Sequence, residues 1–113
     1  MLLLVLTLAV FMPVSANAAP KINQWVNKGR YRYYYNQKGK KVKNKVKQIG
    51  NFRYSFDKKG RMQTGWLQQN DVKYYFDKTT GKMVTGKRTI DGKLYDFGTN
   101  GKIKVSLTGP WSI

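Results

Sequence analysis

The chain has 113 residues and carries 22 Lys and Arg against 5 Asp, a net charge of +17, with no His, no Cys and no Glu. These absences exclude an imidazole base, a thiolate nucleophile, a disulfide framework and an ordinary zinc or iron–sulfur site, and the length allows one small domain. So large a positive surplus on so short a chain predicts an anionic partner and a fold that spreads its charges apart.

Residues 1–18 hold no charged side chain. The apolar run Leu2 to Met12 stops at Pro13, and Ala16-Asn17-Ala18 follows as an A-x-A cleavage pattern. This segment is expected to be a secretory signal peptide, cut after Ala18, although the usual basic n-region is missing. A membrane anchor would need ~20 apolar residues, so no integral span is expected after cleavage. The mature chain, 19–113, keeps every charge.

From Gln24 onward the sequence repeats. Tyr35, Phe56, Phe76 and Phe97 recur at spacings of 21, 20 and 21. Gly39, Gly60, Gly81 and Gly101 follow them at spacings of 21, 21 and 20. Trp25 and Trp66 lie 41 apart, two periods, with Val46 and Lys87 at the intervening places. The expected units are 24–44, 45–65, 66–86 and 87–105, with a C-terminal cap at 106–113 in which Trp111 covers the last unit.

Each unit predicts a β-hairpin. Turns are expected at Lys28-Gly29, Gly50-Asn51, Asn70-Asp71 and Asp91-Gly92, where Gly, Asn and Asp tolerate positive φ. The strand after each turn alternates with period 2. One face holds Tyr31, Tyr33 and Tyr35; then Phe52, Tyr54 and Phe56; then Val72, Tyr74 and Phe76; then Lys93, Tyr95 and Phe97. This face is expected to be core. The other holds Arg32 and Tyr34, Arg53 and Ser55, Lys73 and Tyr75, then Leu94 and Asp96. It is mixed and is expected to be exposed. Met62, Met83 and Ile103 are expected to plug the core, with Val42 serving beside Lys41 in the first unit. A lone hairpin is marginal in water, so the units must stack. The predicted fold is all-β: a short solenoid of stacked β-hairpin repeats of 20–21 residues.

The sequence GWLQQNDVKYYFDKTTGKMVTG, from Gly65 to Gly86, resembles the cell-wall-binding repeats, the choline-binding and glucan-binding type. The resemblance runs over roughly Gln24 to Ile103. It implies a hairpin solenoid that binds wall polymers or glycans non-covalently; with the signal peptide and the absence of Cys, a secreted, cell-wall-associated module of a Gram-positive bacterium is expected. In choline-binding members of the family, an aromatic cage holds the quaternary ammonium. The Trp of Gly-Trp and the Trp before Tyr-Tyr-Phe supply two walls, and an aromatic of the next repeat another. The first Trp position falls here on Trp25, Val46, Trp66 and Lys87, the second on Arg32, Arg53, Lys73 and Leu94. No unit keeps both Trp residues, and three place a cation where the cage needs a ring.

Read from the residues, that substitution predicts a different ligand. Trp25, Arg32, Tyr34, Arg53, Trp66, Lys73 and Tyr75 form the candidate ligand-binding set. Arg pairs bidentately with phosphate, and Tyr and Trp faces stack on sugars. A teichoic-acid-type polymer fits, ahead of peptidoglycan or glucan. No cofactor or metal is implied. The run Lys38 to Lys47, six Lys in ten residues, is expected to be a basic loop without a site.

Catalysis is not expected. Asp57 and Asp77 occupy equivalent turn positions, where Asp caps backbone donors. Asp71 and Asp91 lie in hairpin turns and Asp96 replaces an exposed Tyr, so nothing in the sequence suggests two carboxylates opposed at about 5–10 Å. Nucleic acid would bind by charge and stacking, but an exported chain has no physiological nucleic-acid partner. The alternative reading is a secreted cationic antimicrobial, which usually needs an amphipathic basic helix. Exposed hairpin edges leave a homodimer open.

Overall fold

The computed structural model describes residues 19–104. The expected signal peptide, 1–18, and the cap, 106–113 with Trp111, lie outside the described residues. Ten strands and no helix occur among the described residues. Four hairpins follow in order: β1 (Gln24–Lys28) with β2 (Tyr31–Tyr35), β3 (Lys45–Ile49) with β4 (Phe52–Phe56), β6 (Gly65–Gln69) with β7 (Val72–Phe76), and β8 (Lys87–Ile90) with β9 (Lys93–Asp96). Two short strands, β5 (Met62–Gln63) and β10 (Ile103–Lys104), pair with β4 and β7.

Registers show why each hairpin closes where it does. Lys28 faces Tyr31, Ile49 faces Phe52, Gln69 faces Val72 and Ile90 faces Lys93, so every loop has two residues. The first loop is Gly29-Arg30, one residue later than predicted, because Gly29 supplies the positive φ of 64° at its opening position. The other three loops fall where the sequence puts them. Asn70 and Asp91 adopt φ of 58° and 50° there, conformations these side chains tolerate.

The turn after each of the first three hairpins is tied by the polar side chain that opens it; the fourth has Gly98 there and uses Asp96 and Asn100 instead. Asn36 Oδ1 accepts from the amides of Lys38 and Lys40. Asp57 Oδ1 accepts from those of Lys59 and Arg61, and Asp77 Oδ1 from those of Thr79 and Thr80. The capping role expected for Asp57 and Asp77 is therefore seen directly. Gly81 closes the third turn at φ 79°, and a Cβ there would lie 2.5 Å from the Met62 sulfur. Gly101 meets Met83 in the same way. The plug side chain of one repeat thus rests on the turn glycine of the next, a contact that only glycine leaves open.

Asp77 also reaches forward, accepting from the Arg88 guanidinium on the next hairpin. The Thr80 amide, the Arg88 guanidinium and the Thr79 amide hold its carboxyl well below the usual carboxylate range, against a smaller desolvation penalty. A depressed native pKa adds stability above the unfolded value, about 3.9, and loses it as pH falls toward the native one. Asp77→Asn keeps an oxygen for the turn amides, as Asn36 does, but drops the charge. Its stability deficit in urea unfolding should therefore be full at pH 7 and should shrink steadily below about pH 4.

Stacking buries both faces of a hairpin. Phe56, Phe76 and Phe97 are almost completely buried, as their column predicts. Tyr34, Ser55 and Tyr75, read from sequence as exposed, are buried as well. The reason is the stack: the Arg32/Tyr34 face of one hairpin looks onto the Tyr54/Phe56 face of the next. Tyr31 and Phe52 depart in the opposite sense. They share the core column but lie exposed beside the hairpin loops, where cations cover them. Arg61 lies 4.9 Å from the Tyr31 ring centre, and the Lys82 ammonium 4.1 Å from that of Phe52.

The plugs sit largely as expected. Met62 packs on the first cluster and Ile103 on the second. Val42 is buried with Tyr34, but it is not a special substitute for a missing Met. The Val42 amide donates to the Tyr34 carbonyl as that of Val84 does to Tyr75, while Lys41 pairs with Tyr35 as Met83 does with Phe76.

Candidate functional site

Two apolar clusters recur along the chain at the 41-residue interval. The first holds Tyr34, Val42, Tyr54 and Phe56 with Trp25 against them. The second holds Tyr75, Val84, Ile90 and Phe97 with Trp66. Trp25 is centred 5.2 Å from Tyr34, 4.8 Å from Tyr54 and 5.9 Å from Phe56. Trp66 repeats this at 5.0 Å from Tyr75, 4.9 Å from Tyr95 and 5.8 Å from Phe97. In both sets the two Tyr contacts are edge-on, the favoured geometry for ring quadrupoles. Each indole therefore bonds two hairpins together and remains half-buried.

Strand pairing decides what covers the rest of each indole. Trp25 faces Tyr34 across the hairpin, and Asn27 faces Arg32 one step outward on the same side. Asn27 Oδ1 accepts from Arg32 Nε at 3.1 Å, which turns the guanidinium over the indole at 4.2 Å from its centre. Lys73 places its ammonium 4.7 Å from the Trp66 ring centre without such an anchor, since Gln68 opposite it donates to the Asn70 carbonyl. Neither cation pairs with a carboxylate among the described residues, where Asp57–Arg61 and Asp77–Arg88 are the two ion pairs.

The seven predicted site residues thus fall into three groups. Trp25 joins Arg32, and Trp66 joins Lys73, as half-exposed platforms. Tyr34 and Tyr75 stand behind them as buried supports, with no open face of the kind the sequence suggested. Arg53 has no indole beneath it, because Val46 stands where the Trp would be; it faces Gln48 at the exposed, loop-side end of β4. Sequence reasoning missed Asn27, whose signal is its place opposite Arg32 across a two-residue loop.

Hairpins stacked into a helix-free repeat array, with aromatic platforms at the junctions, define the class: a solenoid that presents repeated ligand contacts. Residues 47–87 match the family model described as choline-binding repeat. Choline binding protein F from Streptococcus pneumoniae is similar at 30% identity and a TM-score of 0.66, over 75% of this chain and 28% of that one. The choline binding domain of Spr1274 from the same species is similar at 27% identity and a TM-score of 0.61, over 75% of this chain and 96% of that one. The pneumococcal cell wall endolysin from phage Cp-1, complexed with choline, is similar at 29% identity and a TM-score of 0.65, over 70% of this chain and 23% of that one. The chain thus spans about a quarter of the length of the first and third of these relatives. No curated protein matches it. Residues 47–87 thus carry the choline-binding type of cell-wall-binding repeat, and the fold of the array is that of solved choline-binding domains.

Proposed function

We propose that the chain is a non-catalytic, secreted module that anchors to the bacterial cell wall. It grips an anionic, sugar-bearing polymer of teichoic-acid type at Trp25–Arg32 and Trp66–Lys73. The observation that carries this reading is the cation seated on each Trp, repeated 41 residues apart and without a carboxylate partner. A guanidinium held over the indole by Asn27 at Nε keeps its outer N–H groups for phosphate, while the rim of the indole offers a surface for a sugar. A quaternary ammonium would have to displace the resident cation before it met the ring, so choline is the poorer ligand. Structural relatives bind choline and a peptidoglycan analogue, which supports the wall as the target. Weak contacts at several junctions act together on one polymer, so linkage supplies much of the affinity.

The test is a pull-down on purified cell walls, before and after extraction of teichoic acid, across a salt series. Binding should fall steeply with salt and be largely lost after extraction. Undiminished binding to extracted walls would redirect the assignment to peptidoglycan or glucan. Release by millimolar choline at constant ionic strength would overturn the anionic reading.

A further inference from the structure

The junction between the second and third hairpins lacks what its neighbours have. Val46 stands where the first and third units carry Trp25 and Trp66, and Ser55 where they carry Tyr34 and Tyr75. Tyr74 therefore finds no indole to lean on, although its counterpart Tyr54 does. Tyr74 is half-buried while Tyr54 is buried. Ser55 is buried and spends its hydroxyl on Gln63 Oε1, donating to it at 2.7 Å. What remains is an open groove of about 600 Å³. That is large enough for one monosaccharide with a charged substituent.

The walls of the groove have a definite chemistry. Val46, Tyr74 and Met83 give it an apolar floor with one aromatic ring. Lys45, Arg53 and Lys102 stand around it, and no carboxylate lines it. Gln69 and Asn100 add amides; Asn100 Oδ1 accepts from the Lys102 amide, which leaves the Asn100 NH2 to donate outward. These residues come from three successive repeats. A ring for a sugar face, amides for hydroxyls and three uncompensated cations for an anion converge on one ligand class.

We propose that this groove is a separate binding site for a phosphorylated sugar or polyol unit. It is created by the loss of the Trp that fills the equivalent place in the flanking junctions. Its polymer source rests on the wall reading above; the pocket and its chemistry do not.

The probe is glucose 6-phosphate, titrated into isotopically labelled protein at constant ionic strength and followed by the methyl resonances of Val46 and Met83. These should shift in a saturable way, with an affinity at least about tenfold above that of glucose or of inorganic phosphate, since both halves of the ligand are recognised. Arg53→Gln with Lys102→Gln should weaken binding by about tenfold or more, as hydrogen bonds to a charged group are lost. Val46→Trp should abolish it by filling the groove as Trp25 and Trp66 fill theirs. If Val46→Trp fails to fold, the Arg53/Lys102 pair decides the matter. Equal affinity for inorganic phosphate, with shifts scattered over the 38–47 lysine run, would overturn the proposal. So would unaltered binding in the Arg53/Lys102 variant, or in a folded Val46→Trp. Occupancy of the groove by glucose 6-phosphate in a protein that ignores cell walls would sink the wall reading and leave this site standing.

Discussion

Replacing Phe56 with Ala should lower the unfolding free energy by about 3 to 5 kcal/mol, measured by urea denaturation. Phe56 is 1% exposed, so truncation removes a whole ring from a packed interior. Its ring lies 5.9 Å from Trp25 and joins Tyr34, Val42 and Tyr54 in one cluster. These neighbours are anchored on two hairpins and a plug strand, so they can collapse only partly into the space. The control is Phe52→Ala on the same strand. Phe52 is 43% exposed and meets chiefly the Lys82 ammonium, so its loss should amount to about 1 kcal/mol or less. The Phe56 variant should also split the transition. Its cluster is separate from that around Trp66, and a groove opens between the second and third hairpins, which are joined by the Met83 amide on the Arg53 carbonyl and by Met62 on Gly81. In repeat arrays, a damaged unit with a weak interface unfolds ahead of its neighbour. The indole resonance of Trp25 should therefore change at lower urea than that of Trp66. Coincident midpoints would show that the two halves are coupled more tightly than their packing implies.

The same contrast between Phe56 and Phe52 marks how far the sequence could be read. The recurrence of aromatic and glycine positions gave the hairpins, three of the four loops and the buried Phe column. Periodicity distinguishes the two faces of a strand, but it does not say whether each face has a neighbour. Tyr34 and Tyr75 read as solvent-facing because cations and a Ser share their face; a stack covers both faces. Nor does a period-2 pattern register distance from the axis, so Phe52 and Tyr31 read as core although they sit beside the loops. The Trp25–Arg32 and Trp66–Lys73 pairs were legible as residue types at matching positions. Their stacking was not, because it depends on strand register and, at Trp25, on Asn27. The groove was the least legible feature. Val46 and Ser55 are unremarkable residues until the structure pairs them across a hairpin and sets Val46 in one groove with Tyr74, where two missing rings add up to a cavity.

The largest functional effect should come from Arg32→Gln combined with Lys73→Gln. Hydrogen bonds to a charged group contribute about 1.5 to 3 kcal/mol each, and exposure reduces that to roughly half. Losing two such contacts should then weaken binding to purified walls by about ten- to hundredfold. The comparison is Lys38→Gln with Lys43→Gln, which removes the same charge from the basic loop, where both side chains are exposed and neither stacks on a ring. Bulk attraction counts charges and ignores where they sit. It predicts equal losses for the two variants, whereas a site on the indoles predicts that the Arg32/Lys73 pair costs far more. The salt series adds a second criterion. Each phosphate contact removed should lower the slope of log affinity against log salt by about one, as counterion release requires for polyphosphate ligands. The Arg32/Lys73 variant should therefore bind more weakly and also depend less on salt. A variant that loses affinity at an unchanged slope would point to lost stacking on Trp25 and Trp66, with the phosphate held elsewhere. Because Asn27, Trp25 and Trp66 remain in place, folding of the variant can be checked by the retained indole contacts, so a loss of binding is not mistaken for a loss of structure.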